Sequence, residues 1–352
     1  FDDISPIEPD DISQYISGVQ AGNDNNPFAQ SFRIRGFSAD RDALLINGSQ
    51  QADGFAVTPS ELLSNVEIYR GPSSILNGQT SPGGSVNLVT KKPVKDPFTR
   101  IQANANDEGK RKASADLNSG QFAMGEIEGF FRLNLMRDDS DTFRDSVSNE
   151  MSLVAPVLSL SLTDDTTLTV EGNYVDHEVT GDRGVPLLGS NSDKAGERFD
   201  ESKFFLGTTE SPNERKEERL MVDLSHNFSS SVTSNVQVSY GETTRSFFSI
   251  FPQDADPDTA RFDLENGRLV RTHFGTEDEF TSLDVRGDTE VSFDTGPVSH
   301  DAMVILQKRS IERRDLFTGF ESGADSVSLT DPEPDLPFQG IGPGAGLEGD
   351  EE

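Results

Sequence analysis

From Phe98 onward, apolar and polar residues alternate with a period of two in a succession of separate runs. Ile101, Ala103 and Ala105 alternate with Arg100, Gln102 and Asn104. Ala113, Ala115 and Leu117 alternate with Lys112, Ser114 and Asp116. The same beat returns at Phe131–Leu135, Thr167–Tyr174, Leu220–Ser225, Val236–Tyr240 and Leu283–Val291. Successive side chains of a strand point to opposite faces, so each run predicts a β-strand with one apolar and one polar face. The links also alternate. Short ones fall near Gly120–Gly125, Thr163–Thr166, Ser229–Thr233 and Thr295–Val298, and long ones span Asp138–Glu150, His177–Lys216 and Ser246–Glu279. With the Phe98 strand rising first, Asn106–Lys110 is the first link on the long-loop side. Upstream the texture is different. Ile68 and Val86-Asn87-Leu88-Val89 read as short strands, separated by Gly71, Pro72, Gly78, Pro82, Gly83 and Gly84, which is turn chemistry in a compact mixed unit.

Composition narrows the choice between kinds of β-protein. Only 33% of the 352 residues are hydrophobic, and no apolar run approaches the roughly 20 residues a membrane helix needs. A transmembrane barrel needs no such run, since only every second residue of its strands is apolar. A soluble sandwich shares the period of two but does not predict long links at every second connection. One feature departs from the barrel pattern. Interfacial girdles are usually rich in Trp and Tyr, whereas this chain has no Trp, four Tyr and 24 Phe. The absence of Cys excludes disulfides and thiolate chemistry, and a net charge of −32 disfavours nucleic acid, which is gripped by Lys and Arg. Such acidity describes a solvated surface or one that concentrates cations.

Two sequence blocks carry more. One is Glu67-Ile68-Tyr69-Arg70-Gly71-Pro72-Ser73-Ser74-Ile75-Leu76-Asn77-Gly78, continued by Ser81-Pro82-Gly83-Gly84-Ser85-Val86-Asn87-Leu88-Val89-Thr90-Lys91-Lys92-Pro93. The other is Phe32-Arg33-Ile34-Arg35-Gly36-Phe37, followed by Leu45-Ile46-Asn47-Gly48. A phosphate-cradling loop would need a Lys-Ser/Thr pair leading into a helix, and Lys91-Lys92 lead into Pro93 instead. In order and spacing the blocks resemble the plug of TonB-dependent outer-membrane receptors, within their ferric-siderophore, ferrichrome- or hydroxamate-like branch.

The resemblance implies an α+β plug over residues 1–93 followed by an antiparallel transmembrane β-barrel over 98–352. About nine strands are expected here, against roughly 22 in plugged transporters, so the chain reads as a fragment without signal peptide, coupling box or later strands. Such a piece is expected to bind but not to transport. The implied function is energy-coupled uptake of a ferric siderophore at the bacterial outer membrane, with the TonB complex and outer-membrane lipid as partners, no bond made or broken, and iron carried within the ligand rather than by a cofactor. Cobalamin, haem or glycan import, or a surface adhesion protein, are the alternatives. An adhesin has no use for residues 1–93, and none of the four His falls in the plug, where a haem receptor would present them.

The resemblance also locates candidate residues. Three apical plug loops are expected to meet ligand: Asn23 and Asp24 in the first, Ser38, Asp40, Arg41 and Asp42 in the second, Gln51, Asp53 and Phe55 in the third. Arg41 suits an anionic or oxygen-rich chelate, Gln51 hydroxamate or amide oxygens, and Phe55 offers a ring face. Arg35, Glu67 and Arg70 are expected to form structural ion pairs between plug and wall. Elsewhere the chemistry is thin. His226 and His300 fall on lipid-facing positions near strand ends, and His177 and His273 are scattered. Asp254, Asp256 and Asp258 have alternate spacing that suits calcium but lack its central Gly and terminal Glu. Asp138-Asp139-Ser140-Asp141 is similarly ambiguous, so no resident metal is assigned.

Overall fold

The computed structural model describes residues 13, 15–22, 30–39, 43–51, 57–71, 81–107, 109–142, 146–182, 205–209, 213–252, 262–263 and 268–328. Its first part is two small sheets. Strands β1 (Val19–Ala21), β2 (Phe32–Ile34) and β3 (Phe37–Ala39) form one. Strands β4 (Leu44–Ile46), β5 (Ser49–Gln50), β6 (Leu63–Arg70) and β7 (Gly84–Thr90) form the other, in the order β5-β4-β7-β6. Of these pairs only β4 with β7 is parallel. Among the described residues the helical content of this part is 3-10, at Ser13 and Tyr15 and in a turn at Ser60–Leu62, with no α-helix.

Both short motifs prove to be hairpin turns. Ile34 pairs with Phe37 around Arg35-Gly36, and Ile46 pairs with Ser49 around Asn47-Gly48. All four central residues have positive φ, between 48° and 85°. Two such residues in a row make the two-residue turn whose twist matches its strands, and Asn-Gly is its favoured sequence. The apolar residues of the strands flanking the turns, Phe32, Ile34, Leu44 and Ile46, form a buried core with Val86 and Leu88 of β7.

The second part is a curved antiparallel wall. Its members are β8 (Phe98–Ala105), β9 (Lys110–Met124), β10 (Ile127–Asp141), β11 (Ser148–Thr163), β12 (Thr166–Val179), β13 (Asn213–Ser229), β14 (Val232–Pro252), β16 (Arg268–Thr295) and β17 (Val298–Ser328). The two-residue β15 (Phe262–Asp263) pairs with the start of β16. Each long strand pairs with the next, so that the ladder is a meander. Nine long strands is the number the alternation predicted, and the short links fall as expected at Gly125-Glu126, Asp164-Asp165, Ser230-Ser231 and Gly296-Pro297.

The wall has a plug side and an outer side. Ser49 of the plug donates to Gln237 of β14 at 3.2 Å, and the Arg286 guanidinium of β16 lies over Gly48. Odd positions of β14 and even positions of β16 therefore face the plug, and the opposite parity faces out. Outward rows then read Val170–Val222–Val238–Val285 and Leu168–Leu224–Val236 across neighbouring strands. Ile101 and Leu306, both 74% exposed, lie on the same outer face. From Val291 to Leu283 this band covers about nine residues, roughly 30 Å of strand. At the tilt of membrane barrels that matches an apolar band about 25 Å tall. His226 and His300 also face out near the turns, against Phe228 and Phe293.

All three expected long links are shorter than the alternation suggests. Ser246–Glu279 narrows because β14 continues to Pro252 and β16 begins at Arg268, with Phe247–Pro252 paired to Thr276–Arg271. His177–Lys216 narrows to 180–212, and Asp138–Glu150 to 142–147. Beyond the apolar band the beat of two is lost, with Asn213–Arg219 polar on both faces and Phe247-Phe248-Ser249-Ile250-Phe251 apolar on both, so pairing persists without an alternation to reveal it.

Candidate functional site

The plug meets the wall through a polar seam built on the Asn47-Gly48 turn. Asn47 Nδ2 donates to Thr90 Oγ1 at 2.7 Å and to Glu171 of β12 at 3.3 Å, while Asn47 Oδ1 accepts from the Thr90 amide at 3.0 Å. Lys92 forms an ion pair with the same Glu171, whose side chain is 7% exposed. Next along the seam, Lys91 and Arg132 converge on Asp116 at 3.2 and 2.7 Å, and Arg132 also donates to the Lys92 carbonyl at 2.7 Å. Glu61 of the 3-10 turn pairs with Lys112 at 2.8 Å. Further round, Arg309 of β17 donates to Gln50 and holds Asp284 at 3.0 Å. An apolar patch of the wall, Met136, Met151, Leu153, Ala155 and Val175, completes the contact with the plug core. Partly buried ion pairs of this kind hold position well but are separable, because solvent can replace each partner.

Above the seam the inner wall carries two arginine–carboxylate–arginine groups. Glu217 accepts from Arg215 at 2.6 Å and Arg219 at 2.9 Å. Asp278 accepts from Arg313 at 2.8 Å and also pairs with Arg245, and both guanidiniums lie over the Phe280 ring, at 5.7 and 5.4 Å. Val179, Phe247 and Phe274 cluster above them, and His177 bonds Asn149 at 2.7 Å.

The candidate ligand contacts divide sharply. Asn23, Asp24, Asp40, Arg41, Asp42, Asp53 and Phe55 lie outside the described residues, as do Asp254, Asp256 and Asp258. Ser38 is exposed on β3, opposite Arg33. Gln51 is 2% exposed and donates to Thr58, whose amide in turn donates to Gln30 at 3.3 Å. Gln30, Gln51 and Thr58 thus tie together the roots of the first and third apical loops, and here Gln51 holds the loop from beneath.

The three residues expected to pair with the wall have other described contacts. Arg35 is exposed in its turn. Glu67 accepts from Tyr69 and Asn87, both at 2.9 Å, and Arg70 donates to the Ser17 carbonyl at 3.3 Å. Partial burial, then Glu67, push the Tyr69 hydroxyl pKa up. Among the described residues, plug-to-wall ion pairs are made by Glu61, Lys91 and Lys92 instead. The polar parity of Asp116, Arg132 and Glu171 pointed them inward, but nothing in a single sequence announced their partners. Asp138 faces inward and accepts from Ser140. No group of three or more His, Asp or Glu among the described residues is placed to hold a metal ion.

Comparison with known proteins gives this arrangement a family. Residues 2–85 match the TonB-dependent receptor plug domain. The metal-pseudopaline receptor of Pseudomonas aeruginosa is 30% identical over 252 residues, 70% of this chain and 33% of the receptor. The ferrichrome outer membrane transporter and phage receptor of Escherichia coli is 22% identical, over 85% of this chain and 42% of its own. The open form of the ferric-catecholate import receptor of Escherichia coli superposes with a TM-score of 0.84 at 20% identity, covering 96% of this chain and 52% of that one. The chain therefore spans about a third to a half of the length of these relatives. With the plug matched as a domain and the strand wall matched as a fold, the chain belongs to the family of TonB-dependent receptors.

Proposed function

We propose that this chain is the plug and the first barrel strands of an outer-membrane receptor that imports a ferric siderophore by TonB-dependent energy coupling. The observation that carries this is the plug itself, held by a polar seam across the inner face of a wall whose outer face bears an apolar band. A lumen closed in this way passes no solute by diffusion. Ligand recognition outside and energy supplied from inside must shift the plug, and the seam of separable pairs suits such a shift. The chemistry is recognition and gating. Plug residues 1–93 and barrel residues 98–352 are the two units of this reading. TonB and the lipid of the outer membrane are its partners.

Ligand is met first by the apical loops, through Asn23, Asp24, Ser38, Asp40, Arg41, Asp42, Asp53 and Phe55, with Gln51 setting the third loop. Arg35 and Arg70, exposed on the plug, and Glu67 remain candidates for pairing with further barrel wall. Support for a chelate as ligand comes from the relatives, which bind metal-pseudopaline, ferrichrome and ferric catecholate by name. The first of these favours a second reading, import of a chelate of another metal. Cells carrying the intact receptor should take up a labelled ferric siderophore, and a protonophore should abolish it. Uptake of zinc or nickel chelates alone would select the second reading, and normal growth of a deletion strain on every metal chelate would sink both.

A further inference from the structure

One face of the β5-β4-β7-β6 sheet puts Val66, Ile68, Val86 and Leu88 into the plug core. The opposite face carries a chain of hydrogen bonds that runs across the strands. Glu67 of β6 stands directly opposite Asn87 of β7, and Asn87 is level with Leu45 of β4. A single oxygen of Glu67, Oε2, accepts from both Tyr69 and Asn87, at 2.9 Å each. The other end of the Asn87 amide, Oδ1, accepts from the Gly48 backbone N–H at 2.9 Å. Gly48 shares its turn with Asn47, which is bonded to Thr90 and reaches Glu171 on the wall. Ser49 and Gln50, directly after the turn, make the contacts with Gln237 and Arg309. Among the described residues Glu67 makes no hydrogen bond or ion pair with the wall, yet it is joined through Asn87 to the turn from which three wall contacts spring.

We propose that Glu67 is a positioning residue for the seam: by fixing which way the Asn87 amide points, it holds the Asn47-Gly48 turn where Asn47 meets Glu171. An amide has a donor end and an acceptor end, whereas a carboxylate only accepts. Beside Glu67, Asn87 therefore turns Nδ2 to the carboxylate and Oδ1 to Gly48. The reversed amide would set two donors face to face and strip the turn of one backbone acceptor. Glutamine at 67 still offers an oxygen to Asn87. Alanine offers nothing, and lysine offers only donors, which favour the reversed amide. Bulk alone predicts a different order, since lysine fills the space that alanine empties. Glu67 is half-buried and Tyr69 exposed, so the position has room for all three. This role rests on the uptake reading only for its use, which is to set how readily the seam opens.

The test is hydrogen exchange in the intact receptor, purified in detergent, without ligand. Exchange at Gly48 and at Thr90, whose amide donates to Asn47, should match wild type in Glu67→Gln. It should be severalfold faster in Glu67→Ala and faster again in Glu67→Lys. The Phe32–Ala39 hairpin, which lies in the other sheet, should exchange alike in all four proteins. Unchanged exchange at Thr90 in every variant, Gln as fast as Ala, Lys no faster than Ala, or an equal acceleration in the control hairpin overturns the proposal. Protease access at Lys91-Lys92 supplies a second measure. Glu67→Ala should raise it severalfold in the wild-type background and add little to Glu171→Ala, because both act on one contact. Full additivity overturns the proposal as well. If the exchange order holds but the receptor imports no siderophore, the uptake reading falls and the positioning role stands.

Discussion

Asn47 concentrates at one residue what the chain needs from its plug. Its φ of 48° lies in the left-handed region, and its amide reaches both Thr90 and Glu171. Two substitutions separate the backbone role from the side-chain role. Asn47→Gly keeps the turn and loses the amide bonds. Asn47→Ala loses both, at a further cost of about 1–2 kcal/mol for a Cβ in that conformation. Hydrogen exchange of the β4 and β5 amides in the solubilised receptor should accelerate for both variants, more for Ala. Identical rates would show that the turn is not strained. Glu171 is the partner to test on the wall. Removing it takes from Lys92 and Asn47 the carboxylate they share, and because Lys92 is partly exposed the expected loss is about 1–3 kcal/mol. Glu171→Ala should raise protease access at the Lys91-Lys92 segment while the barrel keeps its heat-modifiable mobility.

At the scale of elements, the strands are legible where the apolar band crosses them and illegible above. Val238 sits in an outward row of valines, whereas Thr244 on the same strand and the same face lies beyond the apolar band. An arginine at the first position should cost about 2–4 kcal/mol, and at the second about 0–1 kcal/mol. Denaturant midpoints of intact receptor folded into vesicles would measure both. Comparable losses at the two sites would mean that the band reaches higher than the row of valines. The same physics explains the links that were expected too long. Asn213–Arg219 alternates inward Arg215, Glu217 and Arg219 with outward Glu214, Lys216 and Glu218, so no apolar beat marks the strand. Its backbone is nonetheless fully laddered to β12 and β14.

For the whole molecule, the decisive property is that the described wall is open. Strands β8 and β17 stand at its two ends without pairing to each other. In lipid every backbone donor and acceptor needs a partner, and an exposed edge is a template for association. Residues 1–352 expressed alone are expected to aggregate or to require detergent, and to show no heat-modifiable band on a gel. A soluble monomer that unfolds cooperatively would contradict this and restore the sandwich, the one fold that buries these alternating faces without lipid.

The blocks at Phe32–Gly48 and Glu67–Pro93 carried enough to name the family, because tight turns restrict residue type: Asn47-Gly48 is a turn in any context that leaves φ positive at two successive residues. Alternation carried the strand number and the outward face, because lipid imposes a period of two on every strand it touches. What only the tertiary structure decided was who meets whom. Lys91 and Lys92 are ordinary surface residues until Asp116 and Glu171, distant in sequence, are brought beside them. Gln51 has the chemistry of a ligand contact, yet packing turns it beneath its loop onto Thr58. Charge pairing across a lumen has no period and no local signature, so it is written only in the folded chain.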